Sequence, residues 1–185
     1  MMKKTVAIIL TVVWLVCLAP ISELSEMGWE SMSDPFHLTA KAAEVIDSGN
    51  CGDAVNYTFS SDGVLSIYGS GDMTKNNHSS EGFPWSEYRD EIQSVIIDVG
   101  VTSIGNYAFF HCSSLTSVII PEGVTSIGQA AFQDCRALPS ILLPESLTEI
   151  KQQAFYFCNQ LTSIRIPSNV NKIDYSAFQF CFQLS

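Results

Sequence analysis

The chain has 185 residues, 46% of them hydrophobic and 15% charged, and nine Lys plus Arg against nineteen Asp plus Glu give a net charge of −10. That length fits one domain, or one domain with an appendage, and the apolar content excludes a disordered chain. The acidic balance argues against nucleic acid as a partner, because phosphate binding needs a basic surface.

The first element in chain order is an address. Lys3 and Lys4 precede an uncharged apolar run over residues 5–18. The run is too short to cross a bilayer as a helix, which takes roughly 20 residues, and it has the form of a secretory signal core. A short membrane anchor is the rival reading. Ala40-Lys41-Ala42 supplies the small-x-small pattern of a cleavage site, so residues 1–42 are expected to be a signal peptide and Ala43 the mature start. A lipoprotein reading would acylate Cys17, but Val16 before it is bulkier than such sites carry. The mature chain is expected to have no membrane span and to be secreted or held at the cell surface.

Residues 43–93 hold nine acidic and two basic residues, whereas residues 94–185 are nearly balanced at six against four. In the acidic segment Val55, Tyr57 and Phe59 alternate with polar residues, Ser61-Asp62-Gly63 supplies turn chemistry, and Leu65 and Ile67 resume the alternation. This predicts a β-hairpin. Residues 74–82 read as an exposed loop, and residues 84–93 as a degenerate coil with Ile92 placed 23 residues before Leu115. The segment is expected to be an N-terminal cap. Asp53, Asp62 and Asp72 lack EF-hand spacing, which argues against calcium.

From Ser94 a gap-free 23-residue period sets in, with copies at 94–116, 117–139, 140–162 and 163–185. One column holds Phe109, Phe132, Phe155 and Phe178, a second Ala108, Ala131, Ala154 and Ala177, and a third Cys112, Cys135, Cys158 and Cys181. Such a period with Leu and Ile columns marks a β-rich repeat solenoid of the leucine-rich kind. In one copy, Val118 and Ile120 point inward and Ser117 and Ile119 outward, and Pro121 ends the strand for want of a ladder donor. Val124 and Ile127 turn a second edge inward. Residues 129–135 are expected to form a short helical or 3-10 turn that buries Ala131, Phe132 and Cys135. Each coil hides its apolar side only against its neighbours, so the Phe and Cys columns are structural ladders. Lys151 and Asp174 stand where the first two copies have Gly, which argues against a required positive φ there.

The pattern I-x-I-P-x-x-V-T-x-I-G-x-x-A-F-x-x-C-x-x-L-T-S resembles the BspA-type leucine-rich repeat of bacterial surface proteins, and the stretch ahead of it is similar to the segment often found before such repeats. The resemblance implies adhesion to a host matrix protein such as fibronectin or fibrinogen, or to other bacteria. On the residues themselves, a contact stripe is expected on the outer strand face from Ile96, Ile119, Leu142 and Arg165, next to a row of Ser94, Ser117, Ser140 and Ser163. The cysteines are expected to stay buried thiols, because in-register Cβ atoms about 5 Å apart exceed the disulfide range. With no C-x-x-C, no nucleophile motif and no phosphate loop, neither a metal, a cofactor nor catalysis is expected. His111 is expected to point outward and to share no chemistry with its column mates Asp134, Phe157 and Phe180. The function expected is an exported, non-enzymatic binding module. The alternatives are a repeat region of a larger exported enzyme continuing past Ser185, and carbohydrate recognition through Tyr107, Tyr156 and Tyr175. Self-association through an uncapped C-terminal end is a further expectation.

Overall fold

A computed structural model of the chain describes residues 43–74 and 83–185, all within one unit, Ala42–Ser185. The predicted signal peptide with its cleavage site lies outside the described residues, as does most of the predicted loop. Along the chain run β1 (Val45–Asn50), β2 (Val55–Ser60), β3 (Val64–Gly69), β4 (Gly71–Asp72), a 3-10 helix (Pro84–Tyr88), β5 (Ser94–Ile97), β6 (Val101–Ile104), β7 (Ser117–Ile119), β8 (Ser126–Ile127), β9 (Glu149–Ile150) and β10 (Lys172–Ile173). None of the helices among these residues is long and apolar enough to cross a membrane.

The strands form two sheets, in the orders β1-β2-β3-β5-β7 and β10-β9-β8-β6-β4. Within the repeats pairing is parallel with an offset of 23 residues: Ser94 opposes Ser117, Ser103 opposes Ser126, Ser126 opposes Glu149, and a lone bridge joins Ser140 to Ser163. Side chains on β2 alternate buried and half-buried, because strand side chains point to opposite faces. The predicted hairpin is β2–β3, with Phe59 opposite Leu65 and Tyr57 opposite Ile67. Its second strand pairs in parallel with β5, so the hairpin continues the first sheet beyond the repeats. β1 adds an antiparallel edge strand that the sequence pattern did not show. Its residues are exposed or half-buried, so no apolar alternation marks it.

The third side of each coil departs from the expected helical turn. It is a chain of tight turns in which Tyr107, His111, Ala130, Asp134, Gln153, Phe157, Ser176 and Phe180 all have φ between 51° and 64°. The reason lies between coils. The N–H groups of Tyr107, Phe109 and His111 donate to the carbonyls of Gln129, Ala131 and Gln133 at 2.8–2.9 Å, and those of Ala130, Phe132 and Asp134 to Gln152, Ala154 and Tyr156 at 2.8–2.9 Å. An α-helix would direct those donors into its own carbonyls. A left-handed non-glycine residue costs about 1–2 kcal/mol, and a net hydrogen bond returns about 1 kcal/mol, so three bonds per coil offset two strained residues. Gly105 and Gly128 are not in the left-handed region. Glycine there allows close approach instead: a Cβ on Gly128 would lie 2.6 Å from the carbonyl carbon of Gly105.

The core is the set of columns. Phe109, Phe132, Phe155 and Phe178 stack with centroids 5.1, 5.3 and 5.3 Å apart. Trp85 begins the file 6.0 Å from Phe109 and donates its indole N–H to the carbonyl of Ala108 at 2.7 Å. Val124, Ile127, Ala131, Leu138 and Ile92 are buried as their spacing predicts.

Candidate functional surfaces

On the first sheet, Val95 and Val118 face the core while Ile96 and Ile119 oppose each other on the outer face. Ile96 is half-buried, Ile119 is 55% exposed and Leu142, one coil further, is 83% exposed. Ser117, Ser140 and Ser163 are exposed beside them, and Ser94 is half-buried. The stripe ends at Arg165, whose guanidinium reaches Glu145 Oε1 at 2.5 Å. Glu122, one coil before Glu145, accepts the backbone N–H groups of Glu145 and Ser146, both at 3.0 Å. These bonds to the charged form hold its carboxyl below the usual range. The stripe is thus a half-buried and an exposed aliphatic on the sheet, Ile96 and Ile119, continued past its last strand by exposed Leu142 and a paired cation, Arg165.

Phe109, Phe132 and Phe155 are fully buried, as are Cys112, Cys135 and Cys158, while Phe178 and Cys181 are partly buried in the last coil. Each thiol after the first donates to a carbonyl: Cys135 to Phe109 at 3.2 Å, Cys158 to Phe132 at 3.1 Å and Cys181 to Phe155 at 3.0 Å. The five cysteines among the described residues form no disulfide. Burial pushes the Cys112 thiol up to about 12 and that of Cys135 well above its ordinary range. The neighbouring Cys158 thiol holds that of Cys181 below its ordinary range.

The turn side carries chemistry that the sequence reading missed. His111 Nε2 lies 3.6 Å from Asp134 Oδ2, which brings these column mates within reach of each other, contrary to expectation. Asp134 is buried, and Arg136 donates to its Oδ1 from Nε at 3.0 Å and from a terminal nitrogen at 2.8 Å. Together with Glu87, Arg89 and Asp90 they line a pocket of about 380 Å³, and Asp90 accepts the Ser113 hydroxyl at 2.7 Å. Further along the same columns the charges give way to rings. Phe157 stacks on Phe180 at 4.7 Å, Phe182 lies 5.8 Å from Phe180, and Tyr156 meets Phe157 edge-on at 4.9 Å. The signal was available in the sequence: a 23-residue column places His111 beside Asp134 and Phe157 beside Phe180 in space. Tyr107, Tyr156 and Tyr175 belong to three different 23-residue columns. Of Asp53, Asp62 and Asp72, Asp72 accepts the hydroxyls of Thr102 and Ser103 at 2.6 and 2.7 Å, and Asp62 that of Ser60 at 2.6 Å.

A family model described as the BspA type leucine-rich repeat region matches residues 86–185 and counts six copies there. None of the curated proteins matches the chain. Among solved structures, a leucine-rich repeat protein of Eubacterium ventriosum is similar at 28% identity and a TM-score of 0.60, over 75% of this chain and 42% of its own. One from Bacteroides ovatus is 28% identical with a TM-score of 0.53, over 72% of this chain and 39% of its own. A leucine-rich repeat protein of T. pallidum, at 24% identity and a TM-score of 0.57 over 70% and 65% of the two chains, shows the likeness of fold. The chain spans less than two thirds of the length of each.

Proposed function

Because the chain belongs to the BspA-type leucine-rich repeat family, we propose that it is an exported, non-enzymatic binding module that attaches to an extracellular or host-surface protein, with a matrix protein as the ligand class. The observation that carries this reading is the outer face of the coils, where Ile119 on the sheet's last strand and Leu142 in the next coil stand exposed over buried Val118, Ile141 and Leu143. Aliphatics fixed on coils packed against a core bind without the entropic cost of ordering a loop, and adjacent exposed apolar side chains mark contact surfaces. Solid-phase binding of the full chain to immobilised fibronectin and fibrinogen tests it. Saturable attachment that Ile119→Asp with Leu142→Asp lowers at least about tenfold supports the sheet face. Absence of attachment to both ligands, or attachment untouched by the double substitution, defeats it.

A second reading, in which these coils are the repeat region of a larger exported enzyme, draws on the greater length of the solved relatives. Reading the native gene beyond Ser185 tests it, and a stop codon there would eliminate it.

A further inference from the structure

The aliphatic column on the outer face has unlike flanks. Strand residues alternate between faces, so the serines 94, 117 and 140 stand on one side of Ile96, Ile119 and Leu142. On the other side the strands end, and the exposed carboxylates of Asp98, Glu122 and Glu145 follow. The segments 94–99, 117–122 and 140–145 contain no Lys, Arg or His. The strands ahead of them in the same sheet are alike, since Asp47 is the sole charged residue of β1, β2 and β3. Arg89 and Arg136 line the turn-side pocket, and Lys151 and Lys172 gather at Glu149.

One cation does reach the carboxylate flank, and its contact shows what the flank accepts. Arg165 continues the aliphatic column, and its guanidinium meets Glu145 of the preceding coil. A cation held over Leu142 would stand to Glu122 as Arg165 stands to Glu145, because the two pairs differ by one coil. Glu122 stays ionised there, since the backbone N–H groups of Glu145 and Ser146 hold its carboxyl below the usual range. No ion pair among the described residues engages Asp98 or Glu122. Spacing selects the form of the occupant. From Ile96 to Leu142 is two coil steps of about 4.8 Å, or about 10 Å. Residues i and i+7 on one face of an α-helix are about 10.5 Å apart, with i+4 between them. Alternate residues of an extended strand are about 6.6 Å apart and fall out of step with the coils.

We infer that this face takes an amphipathic helix of the partner protein, laid along the stack with an apolar row on Ile96, Ile119 and Leu142 and with Lys or Arg along the flank that meets Asp98 and Glu122. The inference rests on the reading of the outer face as the binding surface and adds the form and charge of what binds. The aliphatic row supplies contact area and the carboxylate flank supplies orientation, because an acidic helix would be repelled and a neutral one would gain nothing there. A neutral glycan gains nothing from the carboxylates either, and the aliphatic column offers it no hydrogen bond.

The probe is the labelled peptide Ala-Gln-Ala-Leu-Lys-Ala-Gln-Leu-Ala-Gln-Leu-Lys-Ala-Gln-Leu-Lys-Ala-Gln, which as a helix carries a Leu row at this spacing with Lys along one flank. Fluorescence anisotropy with the full chain compares it with two counterparts, one with Glu for Lys and one with its residues scrambled so that no apolar row forms. The basic amphipathic peptide is expected to bind saturably, about tenfold tighter than either counterpart, and to weaken as salt is raised. Asp98→Asn with Glu122→Gln should weaken it about three- to tenfold and flatten its salt dependence. Because Glu122 also holds backbone N–H groups, Asp98→Asn is measured alone as well. That exposed position should leave the melt unchanged and cost about twofold in binding. Ile119→Asp with Leu142→Asp should weaken the peptide at least about tenfold. Equal binding of the Lys and Glu peptides, both lost in that double variant, would overturn the inferred helix and leave the binding face standing. No saturable binding of the basic peptide, equal binding of the scrambled one, or indifference to the carboxylate or aliphatic variants would also overturn it. In those cases the fibronectin and fibrinogen assay still judges the face independently.

Discussion

Asp134 sits between His111 one coil before it and Phe157 one coil after it, and these three side chains do different work at one backbone position. All have φ near 61°, because the position must turn its N–H toward the next coil whatever it carries. Its chemistry is free to vary while its conformation is fixed. The cysteine column is the opposite case, in which both are fixed. A thiol fits the space beside the phenylalanines and still offers a weak donor to the preceding coil's carbonyl. Reactivity should follow burial. With iodoacetamide at about pH 8, below the ordinary thiol value of about 8.5, Cys181 should alkylate first, while Cys112, Cys135 and Cys158 react only on unfolding. Peptide mapping checks this, and equal labelling of Cys135 and Cys181 in the folded chain would contradict it.

Among the elements, the joint between β4 and β6 is the most informative. β4 contributes two residues, yet Asp72 holds Thr102 and Ser103 of β6 through both hydroxyls. Those bonds to the charged form hold the Asp72 carboxyl below its usual range. A carboxyl lowered by folding contributes stability in full above its unfolded value, about pH 3.9, and loses it as pH falls through the lower folded value. Asp72→Asn should therefore lower the melting temperature at neutral pH and flatten its fall in acid. Melts from pH 7 to pH 2 test this, and parallel curves for parent and variant would refute it. The hairpin was legible because Val55, Tyr57 and Phe59 alternate around buried positions. β1 was not, because an edge strand with one neighbour has little to bury. The turn segment was misread because Ala-Phe-x-x-Cys spacing suits a helix when each coil is considered alone.

At the scale of the whole unit, stability is shared along the stack rather than centred in one core. Phe132 has a ring on either side, at 5.1 and 5.3 Å, and is fully buried. Phe132→Ala should cost about 3–5 kcal/mol by lost transfer and cavity formation, and hydrogen exchange should show lower protection in the coils on both sides. Phe178, partly buried with a ring on one side among the described residues, should cost less. Equal losses at the two positions, measured by denaturant titration, would count against the shared column.

By itself the sequence determined the period, the inward columns and the outward stripe of Ile119 and Leu142, because a strict 23-residue repeat forces equivalent residues into equivalent environments. Only the tertiary structure decided which columns meet in space and with what geometry. His111 finds Asp134 and Phe157 finds Phe180 because stacking brings residues 23 apart to within contact distance. The turns are left-handed because their donors are satisfied by the next coil, a partner that no single copy contains.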